Sequence, residues 1–147
     1  MRTLIDLRRR YPLLRRSRFF TGVYNEELGV KDVTWLQPSG DEMGVEQWQD
    51  GSNKCMGILL DGRAQPTGIR RKGADTSLLI LVNAHYDVVD FTLPEVPQGE
   101  HWALQLDTNQ PDLDAGDVFN FGDTYQVTGR SVLLFELTQT KRRKRQA

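Results

Sequence analysis

Chemistry in this chain would have to come from its carboxylates, three tryptophans, two histidines and one cysteine. Two of its twenty Asp and Glu side chains, set about 5–10 Å apart, could hydrolyse a glycosidic bond by acid–base catalysis. With this many acids some pair meets that spacing by chance. Asp61, Asp87, Asp90 and Asp107 adjoin turns and read as caps or solvent-facing groups rather than a catalytic pair. His85, His101 and Cys55 are scattered, without the close ligand pairs of a zinc site. Residues 112–117 have calcium-loop spacing, but glycine takes a ligand position and no glutamate closes the loop, so they read as a turn. There is no Gly-x-x-x-x-Gly-Lys-Ser/Thr phosphate loop and no Gly-x-Ser-x-Gly elbow. Cys55 borders an apolar run and reads as an inert buried thiol. No catalytic residue, metal or cofactor is expected.

The tryptophans are the better candidates for contact with a sugar, whose apolar face an aromatic ring can cover. Trp35 alternates with Val33 along a strand-like run, and Trp102 is followed by Ala103 and Leu104; both read as core. Trp48 differs, because it sits in the polar stretch 44–50 and reads as a loop aromatic. Trp48, with Trp35 second, is the candidate for glycan or interdomain contact, and interdomain packing is the favoured use.

The elements that would position these residues are mostly strands. Residues 19–20, 32–37, 56–60, 77–82, 88–93, 102–106, 124–128 and 131–137 form short apolar or alternating runs. Between them lie Pro38-Ser-Gly40, Asp61-Gly62, 94–99, 109–116 and Gly122-Asp123 as turn signals. Within 88–93, Val89, Phe91 and Leu93 take one face and Val88, Asp90 and Thr92 the other, as in a half-buried strand. Residues 78–82 are apolar throughout, which places them in a central strand covered on both faces. Ahead of these strands, Met1, Leu4, Ile5, Leu7 and Tyr11 share one helical stripe that Pro12 ends. An all-β, two-layer antiparallel β-sandwich with a short N-terminal helix follows.

At 147 residues the chain fits one ordinary domain. It is too short for a complete (β/α) barrel, which needs about 200 residues or more. The net charge of −1 hides a segregated pattern. Residues 1–18 carry a net +6, 19–140 a net −12, and the run 141–145 adds +5. An acidic body argues against nucleic acid as the main ligand, which needs a basic face. The basic run reads as a solvated tail, since no aromatic or apolar residue orders it. No apolar run reaches the length of a membrane span, and a single cysteine suits a reducing cytoplasm.

The order and spacing of several motifs resemble the carboxy-terminal domain of bacterial glycogen debranching enzymes, isoamylase-like members of the α-amylase superfamily. These are Leu7-Arg-Arg-Arg-Tyr-Pro-Leu-Leu-Arg15, Arg18-Phe-Phe-Thr-Gly22, Lys31-Asp-Val-Thr-Trp-Leu36, Gly40-Asp-Glu-Met43, Trp48-Gln-Asp50 and Gly57-Ile-Leu-Leu-Asp-Gly62. Leu81-Val-Asn-Ala-His-Tyr86, Val89-Asp-Phe-Thr-Leu-Pro94 and Gly129-Arg-Ser-Val-Leu-Leu134 continue the pattern. Residues 63–74 and 108–122 fit it poorly and read as variable loops.

The resemblance implies a domain division: residues 1–18 as the last barrel helix and linker, 19–140 as the sandwich, 141–147 as a disordered basic tail. It also implies a parent enzyme that hydrolyses α-1,6 branch linkages. That family's nucleophilic aspartate, its glutamate acid/base and its third barrel aspartate belong to upstream segments that no residue here matches. The expected function is therefore an accessory, structural one, with the parent's catalytic barrel as partner. A stand-alone α-glucan-binding module is the alternative, and a polyanion binder acting through both basic ends is the weaker one. Leu4, Ile5 and Leu7 have no evident partner within the chain and could pair with a second copy as a homodimer.

Overall fold

The computed structural model describes residues 2–15, 22, 24–25, 30–62, 76–97, 99–110 and 117–139. A helix, α1 (Arg2–Arg10), leads into a 3-10 turn at Pro12–Arg15. Strands β1 (Tyr24–Asn25), β2 (Val30–Lys31) and β3 (Val33–Leu36) precede a second short helix, α2 (Val45–Gln49). Then follow β4 (Cys55–Asp61), β5 (Ser77–Asn83), β6 (Val89–Thr92), β7 (Gly99–Asp107), β8 (Val118–Asn120), β9 (Thr124–Val127) and β10 (Ser131–Gln139). The expected strand at 19–20, the loop at 63–74 and the tail at 141–147 lie outside the described residues, as do all but Asp117 of 112–117.

Six strands form one antiparallel sheet in the order β3-β4-β5-β10-β7-β8, while β6 pairs with β9 and β1 with β2. The register divides the large sheet into two faces. Leu79, Leu81, Leu104, Leu133, Phe135 and Trp102 point inward and meet Phe91, Leu93 and Val127 from the β6–β9 side. This is the sandwich core. β5 is covered on both faces, as its unbroken apolar run requires, with Leu78, Leu79 and Leu81 all fully buried. Along β6, Phe91 is buried while Asp90 faces solvent, matching the alternation in the sequence. Trp102 sits in the core, its indole N–H donating to the Pro94 carbonyl at 2.9 Å.

The outer face is closed by the start of the chain. Leu7, Tyr11 and Leu13 pack on Val33, Leu60, Leu78 and Leu134. The Tyr11 hydroxyl donates to Glu136 Oε2 at 2.6 Å, which ties the helix exit to β10. Burying side chains of this size stabilises by about 1.5–3 kcal/mol each, enough to hold a nine-residue helix that would be marginal alone in water. The expectation that the whole apolar stripe lacks a partner in its own chain is therefore corrected. Leu7 is buried against the chain's own sheet, and among the described residues of the stripe only Leu4 and Ile5, about half exposed, remain for another molecule.

Two glycines lock the layers together. Gly40 ends the Pro38-Ser-Gly40 turn with φ +88°, and a Cβ there would lie 2.9 Å from the Thr92 carbonyl oxygen. The Thr92 N–H donates back to the Pro38 carbonyl at 2.9 Å, so the turn seats on β6. Gly57 faces the core beneath Phe91, whose Cζ would stand 2.7 Å from an added Cβ. Gly57→Ala is expected to destabilise the domain by about 1–3 kcal/mol through overpacking, read as a lower midpoint in urea unfolding.

Candidate functional site

The stretch around Trp48 is the short helix α2 rather than a loop. The Gly44 N–H donates to Gln47 Oε1 at 2.9 Å, and Trp48 N–H reaches the Gly44 carbonyl at 3.2 Å, so the polar residues close the first turn themselves. At the other end Asp50 Oδ1 accepts from the Ser52 N–H at 2.9 Å and its hydroxyl at 2.6 Å. These bonds hold the fully exposed Asp50 carboxyl below its ordinary range, the Ser52 hydroxyl contributing most.

α2 brings Trp48 against Trp35. Their ring centroids lie 5.6 Å apart at an interplanar angle of 71°, an edge-on contact. Trp48 is 51% exposed and Trp35 38%. The expectation of a core Trp35 is thus corrected, for a reason the register supplies. Trp35 does share the outer face with Val33, and it pairs with Ile58, which pairs with Ile80. Ile58 and Ile80 pack against the cluster that holds Leu7 and Tyr11 but stay only partly buried, and Trp35 is not part of that cluster. A groove of about 540 Å³ remains beside it, bounded by Trp35, Val33, Ile58, Ile80 and the partly exposed Lys31–Glu42 ion pair. Exposed pairs of this kind contribute little stability.

The groove does not assemble a carboxylate pair among the described residues. Glu42 is the acid that lines it, and Lys31 holds that acid. Asp87 caps its own turn, accepting from the Val88 N–H at 2.8 Å. Asp107 and Asp61 are buried rather than solvent-facing. Asp107 accepts from the Tyr125 hydroxyl at 2.8 Å and the Asn109 N–H at 2.9 Å. Burial first, and then Asp107, raises the Tyr125 phenol above its ordinary range, as burial and Glu136 raise that of Tyr11. Both are structural ties between elements. Sequence reasoning missed them because their partners carry no local spacing signal.

Among the described residues no cluster of three or more His, Cys, Asp or Glu side chains could hold a metal ion. The His85 ring stacks on Tyr86 at 4.4 Å and its Nδ1 accepts from the Asp87 N–H at 3.1 Å. His101 stands on β7 opposite Thr138, far along the sheet from Cys55 opposite Asn83. Burial pushes the Cys55 thiol up to about 11, in keeping with an inert side chain. At pH 8 this leaves roughly a hundredfold less thiolate than an ordinary cysteine carries. Iodoacetamide is accordingly expected to label Cys55 slowly in the native protein and rapidly in denaturant, as followed by intact mass. No helix among the described residues is long and apolar enough to cross a membrane.

The family model described as isoamylase, C-terminal, matches residues 32–136, from the turn before β3 to the middle of β10. The glycogen operon protein GlgX homolog of Mycobacterium tuberculosis is 35% identical over 140 residues, covering 93% of this chain and 19% of that protein. The isoamylase of Pseudomonas amyloderamosa is 28% identical over 141 residues, covering 89% and 16%. A glycogen debranching enzyme of Klebsiella pneumoniae is 34% identical over 92 residues, covering 63% and 11%. The chain thus spans about a fifth or less of the length of these relatives. With strands β3 to β9, most of β10 and the Pro38-Ser-Gly40 turn inside the matched stretch, this chain belongs to the isoamylase C-terminal family.

Proposed function

We propose that this chain serves as the accessory carboxy-terminal domain of a debranching hydrolase that cleaves α-1,6 branch linkages in glycogen, and that it carries no catalyst of its own. One observation carries the reading: the match is to a C-terminal family, in relatives named isoamylase and glycogen debranching enzyme of which it makes up 16% and 11%. Three described carboxylates support it: Glu42 is held in an ion pair at the groove, Asp87 caps its own turn and Asp107 ties β7 to β9. In this reading residues 1–18 are the end of the catalytic barrel, 19–140 the sandwich and 141–147 a basic tail. The barrel is the partner. It would cover Leu4 and Ile5, which α1 turns away from the sheet. Hydrolysis by two carboxylates needs no cofactor, and a cytoplasmic setting suits the single unbridged thiol.

A full-length relative truncated by the matched fifth tests this. The truncated enzyme is expected to lose thermal stability and activity together, and a hybrid carrying this chain in place of the missing part to regain both. A truncated enzyme as stable and active as the whole would overturn the reading. Without a barrel, Leu4 and Ile5 are the surface through which two copies would associate. Sedimentation of the chain and of a Leu4→Asp, Ile5→Asp variant reads this directly, identical monomer masses excluding the dimer.

A further inference from the structure

We propose that Trp35 and Trp48 form a rigid aromatic corner that binds a curved, α-1,4-linked glucan segment. This rests on the accessory-domain reading above, which makes an α-glucan the polymer at hand.

The geometry fits such a ligand in three ways. First, an α-1,4-linked chain coils, so the apolar faces of successive glucose units turn relative to one another, while a β-1,4 chain stays flat. Two indoles at 71°, with centroids 5.6 Å apart, present two inclined planes rather than one level platform. Second, the corner is held before any ligand arrives. Trp35 is fixed in the β3–β4 ladder opposite Ile58, and α2 is entered through the buried Met43, whose N–H donates to the Trp35 carbonyl at 2.8 Å. A prearranged site loses little side-chain entropy on binding. Third, the surroundings are amphipathic in the way a pyranose is. Beside Trp35 the groove has an apolar floor of Val33, Ile58 and Ile80, and Glu42 and Lys31 stand at its wall. Their carboxylate and ammonium supply acceptors and donors for sugar hydroxyls.

Calorimetric titration of the purified chain with maltoheptaose tests the assignment. Saturable binding with a Kd of about 1 mM is expected, and the flat analogue cellohexaose should bind at least about tenfold more weakly. Trp48→Ala should weaken maltoheptaose binding about tenfold or more while leaving the melting curve near that of the parent, because its ring is half exposed. Trp48→Phe, which keeps a smaller ring, should fall between the two. Absence of saturable heat, equal binding of both sugars, or a Trp48→Ala isotherm matching the parent would each overturn the proposal. The accessory-domain reading is separable. A hybrid enzyme carrying Trp48→Ala should remain stable; if it is destabilised instead and the isolated chain ignores maltoheptaose, the corner is a protein-docking surface and the glucan assignment fails alone.

Discussion

Phe135→Ala is expected to lower the stability of this domain by about 3–5 kcal/mol, the range for removing a buried aromatic ring. Phe135 is fully buried on β10, with Leu79 of β5 and Leu104 of β7 as register neighbours. Its ring meets Tyr125 edge-on at 5.6 Å and Phe119 at 5.9 Å, and those two meet each other at 5.3 Å. The three rings come from β10, β9 and β8, so they join the large sheet to the small one. Edge-on pairs add about 0.5–1.5 kcal/mol each beyond the area they bury. Thermal unfolding should show a fall in Tm of about 10 °C or more. Val132→Ala is the control: three residues away on the outer face and 38% exposed, it should cost less than about 1 kcal/mol. Equal losses for the two variants would mean that the inner and outer faces have been assigned wrongly.

Asn83→Ala should cost about 2–3 kcal/mol through polar groups left unpaired, although it removes little apolar surface. Asn83 ends β5 and is almost fully buried. Its Nδ2 donates to the carbonyls of Asp87 and Val127 at 3.0 Å and of Thr128 at 3.3 Å. Its Oδ1 accepts from the His85 N–H at 2.9 Å. One side chain therefore holds the 84–88 turn to the end of β9. Asn83→Asp keeps the shape but turns a carboxylate toward three carbonyl oxygens. Its folded pKa is then raised above the unfolded value, so its deficit should grow as pH rises through the carboxylate range and shrink in acid. Urea melts at pH 4 and pH 7 measure this; a deficit independent of pH would contradict the donor role of Nδ2.

Much of the architecture is legible in the sequence because its physics is local. An unbroken apolar run such as 78–82 has no stable place except between two covered faces, and β5 occupies that place. Likewise the alternation at 88–93 puts Phe91 in the core and Asp90 outside. Trp35 marks where such reasoning stops. Alternation assigns it correctly to the face of Val33, but whether that face is covered depends on where a helix ending at Arg10, far upstream, docks on the sheet. β8 is only three residues long and follows a run of turn formers, so no period-2 signal can establish itself there. The Tyr11–Glu136 hydrogen bond joins residues 125 apart in sequence, and neither neighbourhood hints at the other. α2 is hidden for a third reason: five residues with no buried side chain show no amphipathic period, and the Gly44–Gln47 bond rather than core packing starts the helix.

The candidate site was legible in part. Loop-like polarity picks out Trp48 as an aromatic without a packing duty, while its edge-on partner and the groove beside it depend on the β3–β4 register. No spacing in the sequence encodes that register.

The most direct measurement is the release of reducing ends from a branched α-glucan incubated with the purified chain alone, with an intact relative as positive control. Product at the level of the protein-free blank, whatever the amount of chain added, is the expected result. Linear oligosaccharides released in proportion to added chain would contradict the central claim that the catalytic groups lie in another part of the parent enzyme.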